Sequence, residues 1–255
     1  AASYEYMKPY IQGAASVKFL TFSNETVINS VKRWYKIYNY IRAIKPDAIH
    51  VEALLIRSFL LLPSLLSIKK TFLSIHDPVQ HLGEKEFKLN LLKNIFLKSR
   101  NLKGIFFYSE FAKNQFEQHY PGNRSPKWAV RMNPFTYFKN FSSDKAAERK
   151  NILFFGRISP YKGIDVLADA MPSVFKSNPD EHLIIAGRCV NNYEISGKFL
   201  STFPANVTIM NRHISNSELV TLIEEARFVV CPYIEATQSA VLITSFGLNT
   251  PAIAS

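Results

Sequence analysis

The chain has 255 residues, 47% of them hydrophobic and 20% charged, with a formal net charge of +11. That composition supplies apolar material for one or two globular domains and excludes a disordered or low-complexity chain. The two cysteines, Cys189 and Cys231, do not make a disulfide framework, and the apolar run Phe59 to Leu66, broken by Pro63 and Ser64, is too short to cross a bilayer, which takes ~20 apolar residues.

The positive charge favours an anionic partner: nucleic acid, a phosphorylated substrate or an anionic membrane. The basic residues are scattered through periodic segments, which reads as a solvated face. No charged-then-apolar signal segment opens the chain. It starts on Ala1 and ends on Pro251–Ser255, where a strand begins, so the reading is of a segment of a longer protein.

Helix and strand alternate along the chain, which predicts parallel sheets with crossover helices. Val31–Ile44 has helical periodicity, with Pro46 as a stop. Ala48–Val51 reads as a short strand, Ser58–Ile68 as a helix and Thr71–Ile75 as the next strand. That strand runs into the polar loop His76–Glu84, at a strand's carboxyl end, where open α/β sheets bind ligands. Glu86–Arg100 is an amphipathic helix and Gly104–Tyr108 a strand. Ser109 caps a helix reaching His119, and Pro121–Pro134 is a connection with a short strand. Phe138–Arg149 lacks periodicity and carries a charge cluster, which places a domain boundary there: an N-terminal unit 1–145 and a C-terminal unit 146–255.

A second βαβ series follows. Asn151–Phe155 is a strand, Gly156–Gly163 a turn and Ile164–Ser177 a helix. Strands are predicted at His182–Ala186, Asn206–Met210 and Phe228–Cys231. Ser215 and Glu218 form a capping box opening a helix to Ala226. Glu235–Gln238 is a loop, Ser239–Leu248 a helix, and a last strand begins at Pro251. Two halves built alike predict an α/β chain of two Rossmann-like domains.

The sharpest chemical feature is Phe154-Phe-Gly-Arg-Ile-Ser-Pro-Tyr-Lys-Gly163, directly after a strand and before a helix. Gly156 permits a tight turn, and Arg157 and Lys162 share one short loop beside a helix N-terminus, a combination suited to a diphosphate. The bland alternative is a pair of solvated loop cations.

At this point the chain resembles glycosyltransferase family 4, the large retaining GT-B family. Gly156-Arg157 and Lys162-Gly163 match the family's donor-domain turn, and Leu183–Gly187 its next strand with glycine. Glu218-Leu219 and Ala226–Pro232 resemble the following helix and strand. Glu235 stands where the family has the first Glu of a spaced pair, and Gly247–Ser255 resembles the strand entry beyond it. Thr244 occupies the place of the second Glu, and Ala236-Thr-Gln-Ser-Ala240 replaces the usual glycine-rich run, as in some capsule- and O-antigen-type members. In the first half, Lys45–His50 and Thr71–Glu84 resemble family segments, and His76 matches the histidine lining the donor-sugar pocket, with Asp77 and His81 helping to shape the cleft.

The resemblance implies a nucleotide-sugar donor, retention of anomeric configuration, and neither cofactor nor metal. Arg157, Lys162, Glu235 and His76 would carry the chemistry, and Gly156, Gly187, Gln238, Ser239 and Thr244 would bind the donor. It also implies a glycan or lipid-linked acceptor and a cytoplasmic enzyme at the inner face of the plasma membrane. The helix at Phe87–Leu102, apolar on Phe87, Leu91, Leu92, Ile95 and Phe96 and flanked by Lys88, Lys93, Lys98 and Arg100, suits either an anionic membrane surface or ordinary sheet covering. The rival readings are another GT-B enzyme, such as an epimerase or phosphorylase, and a non-catalytic nucleotide-sugar or nucleic-acid binder. Aromatics lying in strands and on helix faces speak against nucleic acid.

Overall fold

A computed structural model describes residues 27–52, 68, 70–79, 87–132, 136–142, 148–190, 193–195, 202 and 204–255, with side chains of the first helix described from Tyr35 onward, those of the second from Leu91 and those of the 136–142 segment from Phe138. The predicted helix Ser58–Ile68, apart from Ile68, and His81, Glu84 and the charged run 143–147 lie outside the described residues.

Two all-parallel sheets organise the chain. The first has the order β1-β2-β3-β4, built from β1 (Ile49–Val51), β2 (Thr71–Ile75), β3 (Leu102–Phe107) and β4 (Lys127–Ala129). Among the described residues three helices accompany it: α1 (Val27–Ile44), α2 (Phe87–Leu97) and α3 (Glu110–His119). Alternate residues of the strands, Leu73, Ile75, Ile105 and Phe107, join Leu92 and Phe96 of α2 and Ala112 and Phe116 of α3 in one core, with Ile37 and Tyr38 of α1 packed at its margin. Ser109 caps α3 as predicted, its hydroxyl accepting from the Ala112 amide at 3.0 Å.

The second sheet has the order β7-β6-β5-β8-β9. Its strands are β5 (Asn151–Phe155), β6 (Leu183–Gly187), β7 (Val207–Asn211), β8 (Ala226–Cys231) and β9 (Ala252–Ala254). Strands this apolar are what a sheet covered on both faces requires. Ile152, Phe154, Leu183 and Ile185 pack under α4 (Ile164–Ser177). Leu153, Phe155, Ala186 and Val229 face the other way, towards α5 (Asn216–Glu224) and α6 (Ala240–Gly247). Phe138 and Phe141 of a 3₁₀ turn, Thr136–Phe141, pack against this second core, so this segment, which lacks periodicity, docks on the second unit.

Some element bounds, and the place of one lysine, differ from the sequence reading. Ala226 is the first residue of β8 and not the end of a helix, because it pairs with Asn151 of β5. The helix at 86–100 closes at Leu97. Leu92 and Phe96 turn into the core, and Lys93, read as a flanking solvent cation, is buried, its ammonium donating to Pro78 O at 2.7 Å. Burial lowers the Lys93 pKa, and the nearby Asp77 carboxylate offsets part of that. Among the described residues no helix is long and apolar enough to cross a membrane.

Candidate active site at the switch point of the second sheet

From β5 the chain runs outward to β6 and β7, then returns to the other side of β5 for β8 and β9. The crevice beyond the carboxyl ends of β5 and β8 is therefore a topological switch point, the place where doubly wound sheets bind ligands. Two loops meet there, Gly156–Gly163 after β5 and Pro232–Ser239 after β8. They are laced by the backbone: the Ile234 amide donates to Tyr161 O at 2.9 Å. Gly163 has φ +67, and a Cβ there would stand 1.7 Å from Pro232 O. Gly187, at the end of β6 with φ +154, would place a Cβ 1.8 Å from Gly156 O. Both glycines are required by backbone angle and by contact.

Lys162 is held inward. It is 8% exposed, its ammonium donates to the Tyr233 hydroxyl at 2.7 Å and lies 4.2 Å from that ring's centre. Burial lowers its pKa to about 8; the neighbouring Cys231 works against the shift and the Arg157 charge adds to it. The ammonium lies 3.9 Å from where a Gly156 Cβ would be, and Val241, in the first turn of α6, lies 3.5 Å from the same point. A buried cation, an open-backed glycine and a helix N-terminus thus meet. Ser239 caps that helix, accepting from the Leu242 amide at 3.3 Å. Burial pushes the Tyr233 phenol far up, which keeps it neutral beside Lys162.

The predicted residues divide. Lys162, Gly156 and Ser239 come together at the crevice. Glu235 is exposed and lines a cavity of about 480 Å³ with Tyr233, Ser239, Val79, Phe111 and Gln115, so both units form its walls. Arg157 instead lines a second cavity, about 380 Å³, with Gly156 and Gly187. Thr244 is not brought to the site. It is 4% exposed and its hydroxyl donates to Ala240 O at 2.7 Å within α6.

The loop 235–239 is tied to the first unit. The Thr237 hydroxyl donates to Asp77, the Ser109 hydroxyl donates to Thr237 O at 2.6 Å, and Gln238 Nε2 lies 3.1 Å from His76 Nδ1. On its other side His76 Nε2 lies 3.2 Å from Glu52 Oε1. With the Gln238 amide donating, the imidazole is fixed as the Nε2–H tautomer that donates to Glu52.

Glu52 is the centre of a network that sequence reading missed. Its carboxylate accepts from the Tyr108 hydroxyl and from Ser74 Oγ at 3.0 Å, and His50 Nε2 lies 2.8 Å from the same Ser74 Oγ. Burial raises the Glu52 pKa, but the two hydroxyls and the two imidazoles outweigh it, leaving the carboxyl below its ordinary value. The local signal was available: Glu52, His76 and Tyr108 each follow directly on a strand of one parallel sheet, so all three sit at its carboxyl edge.

Residues 149–255 match a family described as "Glycosyl transferases group 1". No curated protein sequence matches the chain. Among solved structures, the glycosyltransferase from Rickettsia africae ESF-5 is 13% identical with a TM-score of 0.64, over 97% of this chain and 68% of its own. The sucrose-phosphate synthase from Thermosynechococcus elongatus is 16% identical with a TM-score of 0.61, over 94% of this chain and 64% of its own. The E. coli structure described as "Trehalose-6-phosphate from E. coli bound with UDP-2-fluoro glucose" is 9% identical with a TM-score of 0.64, over 96% and 66%. The chain thus spans about two thirds of the length of these structures. It has the α/β GT-B fold of Rossmann-like sheets, and its second sheet, with the loops of the switch point, is the part that matches the glycosyl transferases group 1.

Proposed function

We propose that the chain forms the catalytic body of a glycosyltransferase that moves a hexose from a nucleotide-diphosphate sugar to a glycan or lipid-linked acceptor. The observation that carries this reading is the buried Lys162 ammonium beside Gly156 and the first turn of α6. A cation held away from water, next to the positive end of a helix, is a site for a diphosphate whose negative charge grows as the sugar leaves. Its pull is strong because little solvent competes there.

In this reading Glu235 accepts hydrogen bonds from the sugar hydroxyls, and His76 meets the sugar from the first unit. Glu52 and Gln238 hold the imidazole in one orientation, so the sugar is presented rather than merely bound. The donor loop reaches the first unit through Thr237 and Gln238, which supports an acceptor arriving from that side. Transfer proceeds with retention and without metal, in the cytoplasm, and the net charge of +11 supports work against an anionic membrane surface carrying the acceptor. The match to group 1 glycosyl transferases supports the reaction class.

The test is turnover. The full chain is incubated with labelled nucleotide sugars, an extract of glycans and lipid-linked glycans, and EDTA, and nucleoside-diphosphate release and the anomeric configuration of the product are followed. Release that continues in EDTA, gives a retained product and is lost in Glu235→Ala supports the proposal. Absence of release with every donor would reject it.

A further inference from the structure

Resting on the donor site proposed above, the arginine-lined cavity on the outer side of Gly156 names the nucleotide. The diphosphate occupies the crevice beside Lys162, and the sugar points to His76 and Glu235. The nucleoside must then run the other way, along the carboxyl ends of β5, β6 and β7. A cavity of about 380 Å³ lies there, walled by Gly156, Arg157, Gly187, Arg188, Arg212 and His213 among others. A planar base fits in such a volume.

The charged side chains of the walls are one-sided in hydrogen-bond character. Three of the side chains are guanidiniums, which only donate. Arg212 is already engaged: Nη1 donates to Glu218 at 2.8 Å and Nη2 to the other oxygen of the same carboxylate at 2.5 Å. Arg188 follows Gly187 at the end of β6, is exposed, and makes no ion pair among the described residues. Its fork is therefore available. Gly187 and Gly156 meet backbone to backbone, so neither presents a side chain in front of it.

Base edges answer such a fork differently. Guanine shows two adjacent acceptors, O6 and N7. Adenine puts an exocyclic amino donor beside each of its outer acceptors, and uracil places its carbonyls on either side of a ring N–H. Cytosine's adjacent pair, N3 and O2, lies on the ring edge next to the glycosidic bond, so guanine alone satisfies a forked guanidinium bidentately on an edge remote from the sugar. We infer that this cavity selects guanine and that the donor is a GDP-sugar, with Arg188 as the specificity-determining residue.

The test uses GDP and UDP themselves as probes, titrated into the full chain at fixed salt, alongside Arg188→Ala and Lys162→Met. The expected result is GDP binding about ten- to a hundred-fold tighter than UDP, the range of one bidentate base contact. Arg188→Ala should bring the two nucleotides to similar affinity by weakening GDP alone, and Lys162→Met should weaken both. UDP binding as tightly as GDP, or Arg188→Ala weakening both equally, overturns the inference while leaving the donor site intact, provided that Lys162→Met still weakens binding. No binding of either nucleotide, or indifference of both to Lys162→Met, overturns the donor site itself and this inference with it.

Discussion

If Lys162 grips the donor diphosphate, binding must take up a proton from solution. In the free site burial holds its pKa at about 8, against roughly 10.4 for an unburied lysine. At pH 8 about half of the free molecules therefore lack the proton. A diphosphate beside the amine restores the charged form, so each binding event draws in roughly half a proton at pH 8 and close to none at pH 6.5. A nucleotide sugar is the right ligand, because its diphosphate does not titrate in this range. Calorimetry in phosphate and in Tris reads the uptake directly: the apparent enthalpies should diverge at pH 8 and coincide at pH 6.5. Above pH 8 affinity should fall by up to about tenfold per unit, for as long as the bound amine keeps the proton that the free one has lost. The free chain shows the opposite linkage. Because the folded pKa lies below the unfolded one, the unfolded state holds more protons between those limits, so Lys162 favours the folded state increasingly as pH rises from 8 to about 10.4. Lys162→Met should thus bind donor poorly, take up no proton and lose no thermal stability at pH 7. Equal enthalpies in the two buffers at pH 8, or unchanged uptake in Lys162→Met, would refute the reasoning.

Other substitutions test the parts around it. Gly163→Ala should destabilise the second unit by more than about 2 kcal/mol in denaturant melts, because the new methyl group meets Pro232 O at a positive φ. Thr237→Val removes the hydroxyl that donates to Asp77 and should raise the donor KM about three- to ten-fold, the worth of one net hydrogen bond, with thermal stability nearly unchanged. Ser109→Ala loses both the α3 cap and the bond to Thr237 O, so it should lower stability by about 1 kcal/mol and raise donor KM as well. A purely local capping role would leave KM where it was.

Much of the second unit was legible because its signals are local. The apolar strand Asn151–Phe155 runs into Gly156 and the strand Leu183–Gly187 closes on Gly187, both glycines at positive φ, and both strands fall within a residue of where their apolar runs put them. Ser109 and Ser215 cap their helices as side-chain chemistry dictates. What failed depends on which way a side chain faces in three dimensions. Thr244 resembles the second Glu by its place in the chain, but the turn of α6 decides whether a hydroxyl meets a ligand or its own helix backbone, and it meets Ala240 O. Lys93 reads as a solvent cation on a helical wheel, yet the Pro78 carbonyl lies within its reach and takes it inward. Arg157 and Lys162, five positions apart on one loop, were read as a single pair of cations; the 3₁₀ turn Pro160–Lys162 carries Lys162 inward while Arg157 turns to the outer cavity. The Glu52 network was hidden because three strands, distant in sequence, must be set in parallel register before Ser74, His76 and Tyr108 converge on one carboxylate.

The most direct measurement of the central claim is equilibrium binding of a panel of nucleotide sugars to the full chain, with and without EDTA, beside the double variant Arg157→Ala/Lys162→Ala. The account predicts that one nucleotide class binds, that EDTA leaves its affinity unchanged, and that the double variant abolishes it. Binding that needs a divalent metal, or that survives loss of both cations, would contradict the account.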